Sequence, residues 1–176
     1  MSRTLYVIVC GAGTAGDVGG LVGAAIEQGW DPYVVPTPSG ADFIDAAELE
    51  KLTGHPIRSR YRKPGEASKL PHADAVIVAP ATYNTINKWA FGASDTFALG
   101  LLAEMTGLGV PTAVLPFVNT ALAANNVYNE SLHRLEACGV TVLTDNVGNA
   151  PHAPGTGDRA RSQFPWAAAL DAVKRA

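Results

Sequence analysis

Apolar residues of β-forming type recur along the chain in short runs, at residues 5–10, 33–35, 75–79, 110–115 and 140–143, and the segments between them carry apolar residues at helical spacing. A run that is apolar at every position, rather than at alternate ones, predicts a strand buried on both faces. Such runs separated by helices predict an α/β domain: a doubly wound, Rossmann-like or flavodoxin-like parallel sheet in three αβα layers. The first helix is expected to begin after Thr14 and end before Gly29, and Thr82, Ser94 and Asp95 stand at positions that suit helix N-caps. A helix after Asn119 is expected to end at Gly139. Gln163-Phe164-Pro165-Trp166 and the alanine-rich residues behind it predict a closing helix over 163–175, with Pro165 in its first turn. Residues 54–72 and 144–162 are rich in Gly, Pro, Asn and Arg and resist assignment; loops of that length are expected to be functional, the second as a flap over 146–163.

Length and composition narrow the picture. A chain of 176 residues fits one domain over 1–176. With 47% hydrophobic and only 16% charged residues, part of the surface is expected to be covered by other copies of the chain. The net charge of −3, with basic residues clustered only at Arg58, Arg60, Arg62 and Lys63, argues against a nucleic-acid partner. No apolar run approaches the roughly 20 residues of a membrane span, and Met1-Ser2-Arg3 leads straight into a strand, so a soluble cytoplasmic protein is expected. Cys10, ending a strand, and Cys138, near a helix end, are expected to be buried reduced thiols. Without a CxxC or a nearby His pair they predict neither a disulfide framework nor a metal site.

Two turns carry candidate chemistry. Gly11-Ala12-Gly13-Thr14-Ala15-Gly16 matches GxGxxG between a strand and a helix, the context of a dinucleotide fingerprint. A dinucleotide site also needs an acid near the end of the second strand, and here that strand ends in Pro36-Thr37-Pro38-Ser39-Gly40. Asp31 precedes the strand, on the wrong side of the sheet. Hydroxyls beside a glycine turn fit a single phosphate, so a mononucleotide is the better reading. The second turn lies within residues 74–95, where a strand stops at Pro80 and a helix opens through Thr82, Asn84 and Thr85. Free backbone N–H groups and the helix dipole converge at such a turn and suit a phosphate or an electron-rich ring edge.

Three segments together carry a family resemblance. Pro80-Ala81-Thr82-Tyr83-Asn84-Thr85 is similar to a Pro-Ala-Ser-Ala-Asn-Thr motif, with Asp95 following at the family spacing. Pro116-Phe117-Val118-Asn119 is similar to Pro-x-Met-Asn, and the segment from Thr37 to Phe43 is similar to the family's stretch after its second strand. Over residues 4–143 the chain thus resembles the homo-oligomeric flavin-containing cysteine decarboxylases. That family includes phosphopantothenoylcysteine decarboxylases and the peptidyl-cysteine decarboxylases of lanthipeptide-type biosynthesis, and flavin prenyltransferases share its fold.

The resemblance implies FMN as cofactor, held at a subunit interface of a trimer or a trimer-based dodecamer. It implies Gly11, Ala12, Gly13, Thr37 and Ser39 at the phosphate and Pro80, Ala81, Thr82, Asn84 and Thr85 along the ring and ribityl chain, with Phe43 and Asp95 completing the set. It also implies Asn119 as the group that holds the substrate carboxylate. The family's histidine falls by count on Glu66, so the base stays open among His55, Glu66 and His72. Where the coenzyme A enzymes carry a flap cysteine, residues 146–163 have none, which disfavours coenzyme A biosynthesis. The expected function is oxidative decarboxylation of a cysteine-bearing substrate, with a peptide C-terminus as one class. The alternatives are an FMN-binding homologue without this chemistry, acting as carrier or regulator, and a flavin prenyltransferase-like enzyme.

Overall fold

Strands that are apolar on both sides must be covered twice. The computed structural model, which describes residues 3–61, 63, 65 and 70–174, has that arrangement. Five strands, β1 (Arg3–Val9), β2 (Trp30–Pro36), β3 (Ala75–Ala81), β4 (Thr112–Pro116) and β5 (Thr141–Val142), form a sheet in the order β2-β1-β3-β4-β5. Every pairing is parallel. This is the flavodoxin-like order, and its switch point lies between β1 and β3, where a crevice opens beyond the carboxyl ends of the strands.

The helices are α1 (Val18–Glu27), α2 (Ala46–Thr53), α3 (Tyr83–Ala90), α4 (Phe97–Gly107), α5 (Thr120–Ala123), α6 (Asn126–Ala137), α7 (Gly157–Arg161) and α8 (Trp166–Lys174). Side-chain alternation along β1 divides the core between them. Leu5, Val7 and Val9 face α1, α2 and α8, whereas Tyr6, Ile8 and Cys10 face α3, α4 and α6. Among the described residues no helix is long and apolar enough to cross a membrane.

Several boundaries differ from expectation, each for a local reason. β2 begins at Trp30 rather than at residue 33, because Trp30, Asp31 and Pro32 pair with Arg3, Thr4 and Leu5; this is an edge strand, where Pro32 sacrifices no interior ladder bond. Asp31 therefore lies inside β2, at its amino end. The N-cap of α4 is Thr96 and not Ser94 or Asp95: its backbone is extended and its hydroxyl accepts from Leu99 N–H at 3.2 Å. The helix after Asn119 is two helices, since Asn125 leaves helical geometry and caps α6 through Val127 N–H. The closing helix starts at Trp166, one residue after Pro165. Residues 144–162, left unassigned, contain the 3-10 turn Asp145–Val147 and α7.

The cysteines also divide. Cys10 is buried as expected, but Cys138, at the C-cap of α6, is exposed. In the folded protein iodoacetamide is expected to alkylate Cys138 and to reach Cys10 only on unfolding; mass spectrometry showing equal rates at both would contradict this placement.

Candidate functional site

Four turns meet beyond the carboxyl ends of β1 to β4. Gly11 and Ala12 follow β1, Thr37 to Ser39 follow β2, Thr82 to Thr85 open α3 after β3, and Phe117 follows β4. With Lys88, Thr96, Leu99 and Leu122 they wall a cavity of about 580 Å3, a volume suited to a cofactor. It sits at the switch point that the strand order defines.

Short contacts hold the turns together. Gly11 touches the β2 turn so closely that a Cβ there would lie 2.8 Å from Ser39 Cβ. Thr37 N–H donates to Val9 O at 2.9 Å, and the Thr37 hydroxyl accepts from Gly40 N–H at 3.0 Å. Across the crevice Cys10 N–H donates to Pro80 O at 3.1 Å and Phe117 N–H to Ala81 O at 2.8 Å. The Thr82 hydroxyl caps α3 by accepting from Thr85 N–H at 3.4 Å. That leaves Tyr83 and Asn84 N–H at the helix start without partners among the described residues, the free donors that such a terminus presents. Ser39 and Asn84 are exposed in the wall.

Among the described residues one charged side chain belongs to the wall, Lys88, which the sequence reading missed. Its ammonium donates to Asp95 Oδ2 at 2.5 Å, and this hydrogen bond holds the Asp95 carboxyl below its usual range. Asp95 thus serves Lys88 from outside the wall instead of lining the pocket. Beneath the pocket, burial pushes the Cys10 thiol up in pKa, against hydrogen bonds with Thr85 and Thr82, so it is a neutral floor group and not a nucleophile.

Of the expected cofactor residues, Gly11, Ala12, Thr37, Ser39, Thr82, Asn84 and Thr85 share this wall. Pro80 and Ala81 are buried at the end of β3, behind it. Gly13 lies in the first turn, where a Cβ would approach only Phe117, at 3.9 Å, and Phe43 is half exposed beyond the second turn.

None of the described catalytic candidates lines this wall, but they stand at opposite ends of the sheet. Asn119 follows β4 and caps α5, its Oδ1 accepting from Leu122 N–H at 2.9 Å. Its Nδ2 has no partner among the described residues. His55 does not reach the pocket: Nε2 lies 2.6 Å from Asp31 at the amino end of β2, and the ring stacks on Tyr33. Asp31 pairs with Thr4 while Pro36 pairs with Val9, which separates the two edges by about 16 Å of strand. His72 fails for the same reason. It is exposed just before Asp74, which accepts from Thr4 N–H at that same amino edge. Glu66 lies outside the described residues.

A histidine that the sequence reading passed over does stand near the pocket. His152 leans on Phe117, ring centroids 4.9 Å apart, and its backbone forms a parallel bridge with Asn119. Only the 33-residue jump between these partners brings them together, so no local pattern marks it.

Fold and pocket define a class: a flavodoxin-like α/β protein with a hydroxyl- and amide-lined pocket at the switch point of its sheet. The sequence model of the Flavoprotein family matches residues 1–163, and the chain belongs to that family. It is 24% identical over 145 residues to a probable phosphopantothenoylcysteine decarboxylase of Streptococcus mutans, covering 79% of this chain and 80% of that protein. Against the coenzyme A biosynthesis bifunctional protein CoaBC of Vibrio cholerae it is 26% identical over 116 residues, 62% of this chain, and spans only 28% of that protein's length. Among solved structures, the FMN-dependent cysteine decarboxylase TvaF from thioviridamide biosynthesis is similar with a TM-score of 0.74 at 22% identity, covering 99% of each chain. At that identity the likeness is one of fold.

Proposed function

We propose that the chain binds FMN in the 580 Å3 pocket and catalyses oxidative decarboxylation of a substrate with a free C-terminal cysteine, a peptide being the favoured class. The observation that carries the reading is the convergence of four strand-end turns on one crevice with hydroxyls, unpartnered N–H groups and a close glycine approach. These suit a flat, phosphorylated ligand. Bound FMN would supply a two-electron acceptor for oxidation at the thiol-bearing carbon, after which the carboxylate can leave as carbon dioxide.

The chain's own groups bind and orient. Tyr83 and Asn84 N–H and the Ser39 hydroxyl are donors left free for FMN, and Thr82 and Thr85 line the same wall. The Asn119 amide, free at Nδ2, would hold the substrate carboxylate, with Phe117 setting the distance between substrate and cofactor. Residues 146–163 contain no cysteine, which supports release of a decarboxylated peptide product rather than the coenzyme A route. Self-association as a trimer or dodecamer belongs to the same reading and is supported by Phe91, Leu122 and Val127, large apolar side chains that one chain leaves exposed. So does a cytoplasmic location.

A second reading, an FMN-binding chain without decarboxylase activity, is favoured by one observation: neither His55 nor His72 reaches the pocket. Two measurements separate the possibilities. Purified protein is expected to be yellow and to release FMN on denaturation; colourless protein that takes up no FMN removes both readings. Incubation with cysteine-terminated peptides is expected to remove about 46 mass units, carbon dioxide plus two hydrogens. A yellow protein that leaves every peptide intact selects the second reading.

A further inference from the structure

Beside the cofactor pocket a second cavity, of about 260 Å3, opens between the end of β4 and the segment that leads to α8. Phe117 belongs to both walls, so a ligand lying across the two passes its ring. The wall mixes apolar residues, Val118, Pro151 and Phe164 among them, with the polar Thr144, Asn149 and Gln163, and its two titratable side chains among the described residues are His152 and Tyr128. The charged residues of α7, Asp158, Arg159 and Arg161, lie outside it, and Arg161 is engaged bidentately by Asp17.

His152 is fixed by its backbone and by its ring. Its N–H donates to Val118 O at 3.2 Å and its carbonyl accepts from Thr120 N–H at 2.8 Å. The ring leans on Phe117 at 43° between planes. Nδ1 stands 3.0 Å from Ala153 O. A carbonyl only accepts, so Nδ1 carries the proton in that contact and the neutral ring keeps its lone pair on Nε2. No described residue bonds that nitrogen. A Cβ on Gly157 would make only ordinary contact with the ring, 3.7 Å from Cε1.

Tyr128 supplies the second observation. The residue is 3% exposed, yet its hydroxyl has no hydrogen-bond partner among the described residues and the side chain lines the cavity. Its ring stacks on Tyr83 with centroids 5.9 Å apart, and burial raises its pKa, so the phenol stays protonated. The Nε2 acceptor of His152 and the protonated phenol of Tyr128 thus belong to one small chamber next to Phe117.

We propose that His152 is a catalytic base of the reaction proposed above. On substrate binding, Nε2 takes the proton of the cysteine thiol: the S–H bond breaks, an N–H bond forms and the electron pair stays on sulfur, with Tyr128 lining the same chamber. The assignment rests on the decarboxylase reading and fills the role that His55 and His72, at the opposite edge of the sheet, do not reach.

The test uses the FMN-loaded full chain and a cysteine-terminated peptide. Diethyl pyrocarbonate acylates neutral imidazoles, and mass mapping is expected to show that the peptide slows modification of His152 by about tenfold or more while exposed His133 reacts unchanged. In kinetics, His152→Gln is expected to lower kcat by about 10²- to 10³-fold at neutral pH. FMN affinity and peptide Kd stay close to those of the parent. Modification of His152 that ignores the peptide, or a Gln variant with the parent's rate, overturns the assignment and leaves the decarboxylase reading standing. A parent that decarboxylates no peptide overturns both.

Discussion

Replacing Gly40 with alanine is expected to destabilise the protein by about 3 kcal/mol or more and to abolish tight FMN binding. A Cβ on Gly40 would lie 2.2 Å from Val9 O and 3.1 Å from Thr37 Oγ1. Neither neighbour can step aside. Val9 O is a main-chain atom at the end of a central strand and already accepts from Thr37 N–H, and Thr37 Oγ1 is held by Gly40 N–H itself. The turn must therefore lift off β1, carrying Thr37 and Ser39 out of the pocket wall. Gly20→Ala is the control of opposite sign. It is exposed in α1, a Cβ there meets nothing within 4 Å, and alanine in a helix is favoured over glycine by about 0.5–1 kcal/mol. Urea unfolding and FMN titration of the two variants check the pair; Gly40→Ala with the parent's midpoint and FMN affinity would show that the β2 turn is not packed as described.

What the sequence revealed follows from where each element gets its stability. β1, β3 and β4 are buried on both faces, so their apolar runs are legible without any partner in view. The turns after β1 and β3 are marked by residues that turn geometry itself requires, and the Thr82 cap is local. The first half of β2 is different: Asp31 and Pro32 have no strand character of their own, and pairing with β1 imposes it. α2 was legible in principle, because Asp45 caps Glu48 N–H three residues on, a signature that was passed over.

Residues 144–162 are held by distant partners. Asn149 Nδ2 donates to Pro116 O at 2.8 Å, Arg161 binds Asp17, and the His152 backbone bridges Asn119. None of these leaves a pattern in neighbouring residues, which is why the one histidine beside the pocket was not among the candidates. The family count led to position 66 instead. Lys88 was missed for a similar reason, since α3 carries it from the turn into the wall one helical turn later.

Asn119→Asp is expected to cut decarboxylation by about 10²- to 10³-fold, the loss of roughly 2.7–4 kcal/mol that removal of one preorganised donor produces, with little change in stability. The side chain has two functions that this substitution separates. Oδ1 caps α5 by accepting from Leu122 N–H, and an aspartate oxygen at the same position accepts equally well, so the fold and the Asn119–His152 bridge persist. What disappears is the Nδ2 donor, and in its place stands a second negative charge facing a carboxylate. Loss of the donor and repulsion act in the same direction, on substrate and not on FMN. Retained flavin with slow turnover is therefore the expected signature. Asn119→Ala removes the cap as well and is expected to lose about 1 kcal/mol of stability in addition. Single-turnover decarboxylation measured beside thermal unfolding distinguishes the two effects; an aspartate variant as fast as the parent would leave Asn119 with its capping role alone.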